Sequence, residues 1–182
     1  MTVDLHAKKH IWPFACVLHS ADLIVVGEIT SVRANRILLR IEQQVYGTSA
    51  DSQITVTKWK EWTCDVRFAP YKKGQRLLLL LAKDKDSYFP INASTGELPV
   101  LQDSVSVYRE NARFALSDLV SAIRDVRACF QTIVPYGPAF GDKPSELVIE
   151  NTCPRSGTPD PPRLPNARVW LYRQSIPYCR NW

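Results

Sequence analysis

A chain of 182 residues with 45% apolar and 23% charged residues has the make-up of a folded globular protein, which excludes a wholly disordered or collagen-like chain. Lysine and arginine outnumber aspartate and glutamate by 23 to 18, for a net charge of +5, yet no consecutive run of cations forms a basic tail, so an acidic partner is permitted rather than required. The longest apolar run, residues 77–82, is strand-sized and far short of the ~18 residues of a membrane span, so no transmembrane segment is expected.

The first ten residues offer Lys8 and Lys9, but the apolar stretch after them, residues 11–18, is short, broken by Pro13, and runs straight into a predicted strand. A secretory leader needs a longer apolar core and a small-residue cleavage site, so no signal peptide is expected and residues 1–15 read as an N-terminal arm. Residues 22–32 (DLIVVGEITSV) are rich in branched side chains that suit a pleated surface, and Gly27 among them predicts a bulge or bend. Residues 35–46 form the next strand, with Ile37, Leu39 and Ile41 on one face and Leu38, Arg40 and Glu42 on the other. After a turn at 47–52, residues 53–59 alternate again. A turn at 70–75 leads into residues 76–82, apolar on both faces and therefore predicted to be buried on both sides. Residues 88–92 and 98–101, either side of a turn at 93–97, predict a hairpin.

A helix near 114–130 follows from Leu116, Leu119, Val120, Ile123 and Val126, which recur at helical steps, with an earlier start near Ser106 as an alternative. Ser117 is placed to cap it, Asp118 suits its first turn and Arg124 and Arg127 its last, and Pro135 stops it. Nine of the 13 prolines stand at or beyond residue 135. Residues 135–182 are therefore expected to form an irregular extension with short edge strands at 146–150 and 168–172, packing on or beside the preceding domain through Trp170, Leu171, Tyr172 and Trp182. That domain spans residues 16–134. Its strands, the first long and bent at a glycine, suit a mainly β fold: a small antiparallel Greek-key barrel of OB-like plan with one C-terminal capping helix.

Residues 20–30 (SADLIVVGEIT), shortly after Cys16, together with residues 41–47 (IEQQVYG) and 74–81 (GQRLLLLL), resemble the first, second and fourth strands of TIMP/netrin-like OB domains and of their bacterial relatives. The resemblance covers about residues 16–107. It implies a barrel that binds a partner, in a secreted or periplasmic protein, whereas the absence of a leader motif points to the cytoplasm. Metalloproteinase inhibitors of that family chelate a catalytic zinc through an N-terminal cysteine. Cys16 is internal, so that chemistry does not carry over.

Cys16, Cys64, Cys129, Cys153 and Cys179 include no C-x-x-C and no histidine at zinc-ligand spacing, so neither a metal site nor a cofactor is expected. They read either as small buried residues with a thiol or two, or as one or two disulfides with one cysteine over, which requires an oxidising compartment. The odd count favours thiols. His6, His10 and His19 read as surface histidines near a terminus, and Cys16 with His19 lacks the third group a nucleophile–base pair needs. Glu28 and Glu42 belong on solvated sheet faces. No phosphate-binding loop and no nucleophile elbow occurs, so the chain is not expected to be an enzyme.

The densest unusual stretch is Lys58, Trp59, Lys60, Glu61 and Trp62, followed by Arg67, Phe68, Tyr71, Lys72 and Lys73. Aromatic faces interleaved with cations are what single-stranded nucleic-acid binding uses, at about 1–3 kcal/mol per stacked base. In the plainer reading, Trp59 or Trp62 caps the barrel core and the lysines are merely solvated. Glu61, Asp65, Asp84 and Asp86 dilute the positive potential. The expected function is a non-catalytic module that recognises a protein partner through the barrel rim and the extension, with Lys58, Trp59, Lys60, Trp62, Arg67, Tyr71 and Lys72 as the binding residues. The alternatives are a single-stranded nucleic-acid-binding domain and a hydrolase assembled from dispersed residues.

Overall fold

Alternating and doubly apolar stretches fold into the strands they predict in the first half of the chain. A computed structural model describes residues 12–62, 65–107, 112–134, 148–151 and 167–175. After a helix α1 (Phe14–Ser20) come β1 (Leu23–Val32), β2 (Arg36–Tyr46), β3 (Gln53–Thr57), β4 (Arg76–Asp84) and β5 (Ser87–Pro90). A 3₁₀ turn (Ala93–Thr95) leads to β6 (Glu97–Leu101), β7 (Ser104–Val107) and β8 (Ala112–Ala115). Then follow α2 (Leu116–Cys129), β9 (Phe130–Val134), β10 (Val148–Asn151) and α3 (Ala167–Ser175).

β1, β2 and β3 form an antiparallel meander. β3 meets β5 in parallel at Val56 and Tyr88, β5 runs antiparallel to β4, and β4 returns antiparallel to β1. The result is a closed five-strand barrel of OB-like connectivity in a mainly β protein. Closure removes unprotected edges from these strands. At Gly27 the β1–β2 register shifts, and a Cβ there would stand 2.5 Å from the Arg40 carbonyl oxygen, so only glycine lets the two backbones approach at the bulge.

Two apolar cores flank the β1–β4 wall. Leu77, Leu79 and Leu81 point into the barrel with Leu23, Val25, Ile29, Ile37, Leu39, Ile54 and Val56. Leu78 and Leu80 point outward into a second core with Ile24, Val26, Leu98, Val105 and the helices. Burial on both faces is why β4 is a continuous leucine run, and removing that much apolar surface from water is the main force holding the barrel to its outer layer.

Several expectations are corrected. Residues 88–92 and 98–101 do not pair as a hairpin: β5 and β6 lie along one edge of β4, opposite Leu81–Asp84 and Leu77–Leu79, as one strand interrupted by residues 91–96. Residues 104–107 and 112–115 are strands rather than an early start of the helix. α2 begins after Ala115, and the Leu116 N–H is met by the Asp103 carbonyl at 2.8 Å, so Ser117 is inside the first turn and does not cap. Residues 168–172 are helical. Between Pro165 and Pro177, Ala167, Leu171 and Ser175 recur at four-residue steps, and all three are buried. The expected edge strand at 146–150 overlaps β10, which pairs with β9. Of the expected arm, residues 1–11 lie outside the described residues, while Phe14 and Ala15 begin α1, whose residues 14–19 are buried in the outer core. Cys16 is a buried thiol and Cys129 is disulfide-bonded to a partner outside the described residues, so thiols alone do not account for the cysteines. No helix among the described residues is long and apolar enough to cross a membrane.

Candidate functional site at one end of the barrel

The connection between β3 and β4, residues 58–75, crosses the barrel end where β1 and β3 finish and β4 begins. It is braced at both ends: the Lys58 N–H donates to the Asn35 carbonyl at 2.9 Å, and the Gly74 N–H donates to the Ile29 carbonyl at 2.8 Å. Gly74 has φ +85°, a left-handed conformation that glycine adopts without strain. In between, Trp62 and Asp65 exchange both backbone hydrogen bonds at 3.0 Å as an antiparallel bridge. The Gln75 amide nitrogen donates to the Pro70 carbonyl at 2.8 Å, while its oxygen accepts from the Lys72 N–H at 3.1 Å and from Arg67 Nη2 at 3.2 Å.

Beneath this loop is a buried ion pair. Arg67 Nε donates to Glu97 Oε1, and Arg67 Nη1 donates to the Ala69 carbonyl. The other carboxylate oxygen, Oε2, accepts from the Tyr71 hydroxyl at 2.7 Å and from Trp59 Nε1 at 3.3 Å. The guanidinium stacks 3.6 Å from the Tyr71 ring centroid and 4.5 Å from that of Phe68. Burial pushes the Glu97 carboxyl up from its ordinary value, against the pull of Arg67 and of the Tyr71 and Trp59 donors. Burial and the Glu97 charge together push the Tyr71 phenol up. Both charged groups are buried, and every guanidinium nitrogen of Arg67 and both carboxylate oxygens of Glu97 have a hydrogen-bond partner, which helps an ion pair survive desolvation.

The seven residues singled out by type thus divide. Trp59, Arg67 and Tyr71 converge on Glu97, and Lys58 Nζ lies 5.4 Å from the Tyr71 ring centroid. Lys60, Trp62 and Lys72 are exposed. Arg67, expected on the surface as a partner-binding cation, is buried, because Glu97 and two aromatic rings replace its hydration. Glu97 and Gln75 were not singled out at all. The signal for Glu97 was its place one residue before the Leu98–Val100 alternation, on the same sheet face as its cross-strand neighbour Leu79. Above the ion pair the loop turns apolar side chains to solvent: Trp62 and Val66 are each 55% exposed and Phe68 46%.

A second buried polar cluster contains a serine–histidine contact. His19, expected on the surface, is buried between helices, with Nε2 3.0 Å from Ser175 Oγ and Nδ1 3.4 Å from Arg127 Nη1. The Ser175 hydroxyl donates to the Leu171 carbonyl at 3.0 Å, so the proton on His19 belongs on Nε2, pointing at Oγ. Burial and then Arg127 push the imidazole down to about 3. A guanidinium stands where a catalytic dyad would place a carboxylate, and so weak a base takes no proton from serine at neutral pH. The cluster is a staple. Arg127 donates to the His19 carbonyl at 2.9 Å at the end of α1 and stacks 3.7 Å from the Tyr46 ring centroid, joining α1, α2 and β2, while Ser175 adds α3. His6 and His10 lie outside the described residues.

No family model matches the chain, and no curated protein or solved structure matches it.

Proposed function

We propose that this chain is a non-catalytic binding module, of TIMP/netrin-like kind, that recognises a protein partner through the rim formed by residues 58–75. The observation that carries the reading is the exposure of Trp62, Val66 and Phe68 on a loop whose base is fixed by the Arg67–Glu97 pair. Large apolar and aromatic side chains held exposed on a braced loop are what a protein interface uses as anchors, because little conformational freedom remains to be lost on binding. The OB-like strand order and the cysteine ahead of β1 accord with the resemblance. The extension contributes less than expected, since Ala167 and Leu171 of α3 are buried in the chain's own outer core. The nucleic-acid reading has weaker support: Arg67 is consumed by Glu97, and its guanidinium covers a face of Tyr71 that a base would stack on.

The test is capture from the native source by the wild-type chain and by a Trp62→Ala/Phe68→Ala variant, read by mass spectrometry. Proteins retained by the wild type and lost by a variant of unchanged urea midpoint are the expected result. Retention of the same proteins by both chains refutes the rim as the binding surface.

A further inference from the structure

The rim is larger than one loop, and its charge is one-sided. Three connections meet at this barrel end: residues 33–35 between β1 and β2, residues 58–75, and the β6–β7 tip around Gln102 and Asp103. They are tied together by the Lys58–Asn35 and Gly74–Ile29 backbone bonds and by Arg76 Nη1, which donates to Asp103 Oδ1 at 2.8 Å. Beside the apolar loop residues, Leu101 is 60% exposed and Val32 38%, so five of the six large exposed hydrophobic side chains among the described residues belong to this end.

Around them stand Arg33, Arg36, Lys58, Lys60, Lys72 and Lys73, none of which makes an ion pair with a described residue. Of the acids in these three connections, Asp65 is buried, Asp103 pairs with Arg76, and Glu61 accepts the Arg67 N–H at 3.3 Å and keeps its charge, so cations outnumber exposed acids here. At the opposite end Asp22, Asp51, Asp84 and Asp86 are balanced by Lys83, Lys85, Arg124, which donates to the Gln44 carbonyl, and Arg127, which stacks on Tyr46. The excess of positive charge therefore lies at the end that carries the apolar anchors.

Building on the protein-binding reading above, we infer that the rim's partner is an acidic segment of another protein, carrying aspartate or glutamate on either side of an aromatic or aliphatic anchor. Charge complementarity selects the class: six cations without an ion pair among the described residues, around an apolar centre, match a negative ring around an apolar knob, and repel basic partners. A lipid surface fits less well: an acidic segment can keep its carboxylates clear of Glu61, whereas a surface covered with anionic headgroups meets Glu61 as the neighbouring Trp62 enters it.

The test is selection of a displayed random-peptide library on the full chain, followed by affinity measurement of the enriched peptides at low and high salt. The comparison chains are Lys60→Glu/Lys72→Glu/Lys73→Glu, whose substitutions fall on exposed positions, and Trp62→Ala/Phe68→Ala, each used once its urea midpoint matches the wild type's. The inference predicts peptides rich in Asp and Glu around an apolar residue, with binding about tenfold or more weaker in high salt and in the charge-reversed chain. Peptides that need Trp62 and Phe68 but show no acidic bias and no loss on charge reversal overturn the inference and leave the rim reading standing. Peptides indifferent to all of these substitutions overturn both. Tighter binding to phosphatidylserine-containing vesicles or to an oligonucleotide than to any enriched peptide also overturns the inference.

Discussion

Replacing Glu97 by glutamine removes one charge and almost no volume. The new side chain keeps an oxygen for the Tyr71 hydroxyl and Trp59 Nε1, but leaves the buried Arg67 guanidinium without a counter-charge. Removing one partner of a buried ion pair costs about 3–5 kcal/mol, a large fraction of the ~5–15 kcal/mol that holds a domain folded. In urea titration followed by tryptophan fluorescence, Glu97→Gln is expected to lower the unfolding free energy by that amount, and the midpoint by that amount divided by an unchanged m-value. Arg67→Met/Glu97→Gln is expected to recover much of the loss, because methionine fills the space between Tyr71 and Phe68 without a charge to desolvate. In Arg67→Met alone, Glu97 loses its cation, and burial pushes its carboxyl further up. A folded-state value above the unfolded one contributes stability in full below the ordinary value of 4.5, and that stability is lost as pH rises through the folded value. This variant should therefore come closest to wild type in acid. A Glu97→Gln cost below about 1 kcal/mol, or single-variant costs that add without coupling in the double variant, would refute the view that the pair fixes the loop.

His19 gives the opposite pH dependence. Its folded value of about 3 lies below the ordinary 6.5, so its contribution is intact above pH 6.5 and falls away as pH drops toward 3, by about 2 kcal/mol at pH 5 from 1.36 kcal/mol per pH unit. Urea midpoints between pH 7 and 5 should fall less steeply in His19→Gln than in wild type, and equal slopes would show that the staple does not exclude a proton. Gly27→Ala should cost about 1–3 kcal/mol in the same titration, because its Cβ meets the Arg40 carbonyl at 2.5 Å and Leu39 at 2.9 Å. Gly74→Ala, with no atom within 4 Å of the new Cβ, should cost only the ~1 kcal/mol of its left-handed backbone, and the reverse ranking would mean that the bulge does not need glycine.

The barrel was legible where side-chain period and burial coincide. Ile37 and Leu39, Ile54 and Val56, and the doubly buried run from Leu77 to Leu81 each announce their strand through local pattern alone. The β7 strand carried the same signal in Ser104-Val105-Ser106-Val107, but its nearness to a strong helical pattern drew those residues toward the helix. In α3 the density of prolines around the segment hid the spacing of Ala167, Leu171 and Ser175. The β5–β6 arrangement was not legible, because two strands flanking a turn look alike whether they pair with each other or share the edge of a third. The buried polar clusters were the least legible of all. Glu97 and Arg67 are 30 positions apart, His19 and Ser175 are 156 apart, and no local period brings such residues together.

The two layers of the rim explain one another. Because β5 and β6 are one strand interrupted by residues 91–96, β3 has a cross-strand partner there only at Val56, and loop side chains meet the sheet at Glu97 beyond it. An apolar plug would bury that junction at no desolvation cost but would pack in several loop registers with similar energy. A guanidinium that must meet one carboxylate, one backbone carbonyl and one amide, between two rings, admits a single register. With polar groups spent on fixing the loop from below, its apolar residues are free to face outward. This inverts the usual placement of charge outside and hydrocarbon inside, and under the proposed binding function Trp62, Val66 and Phe68 are the side chains that a partner would cover.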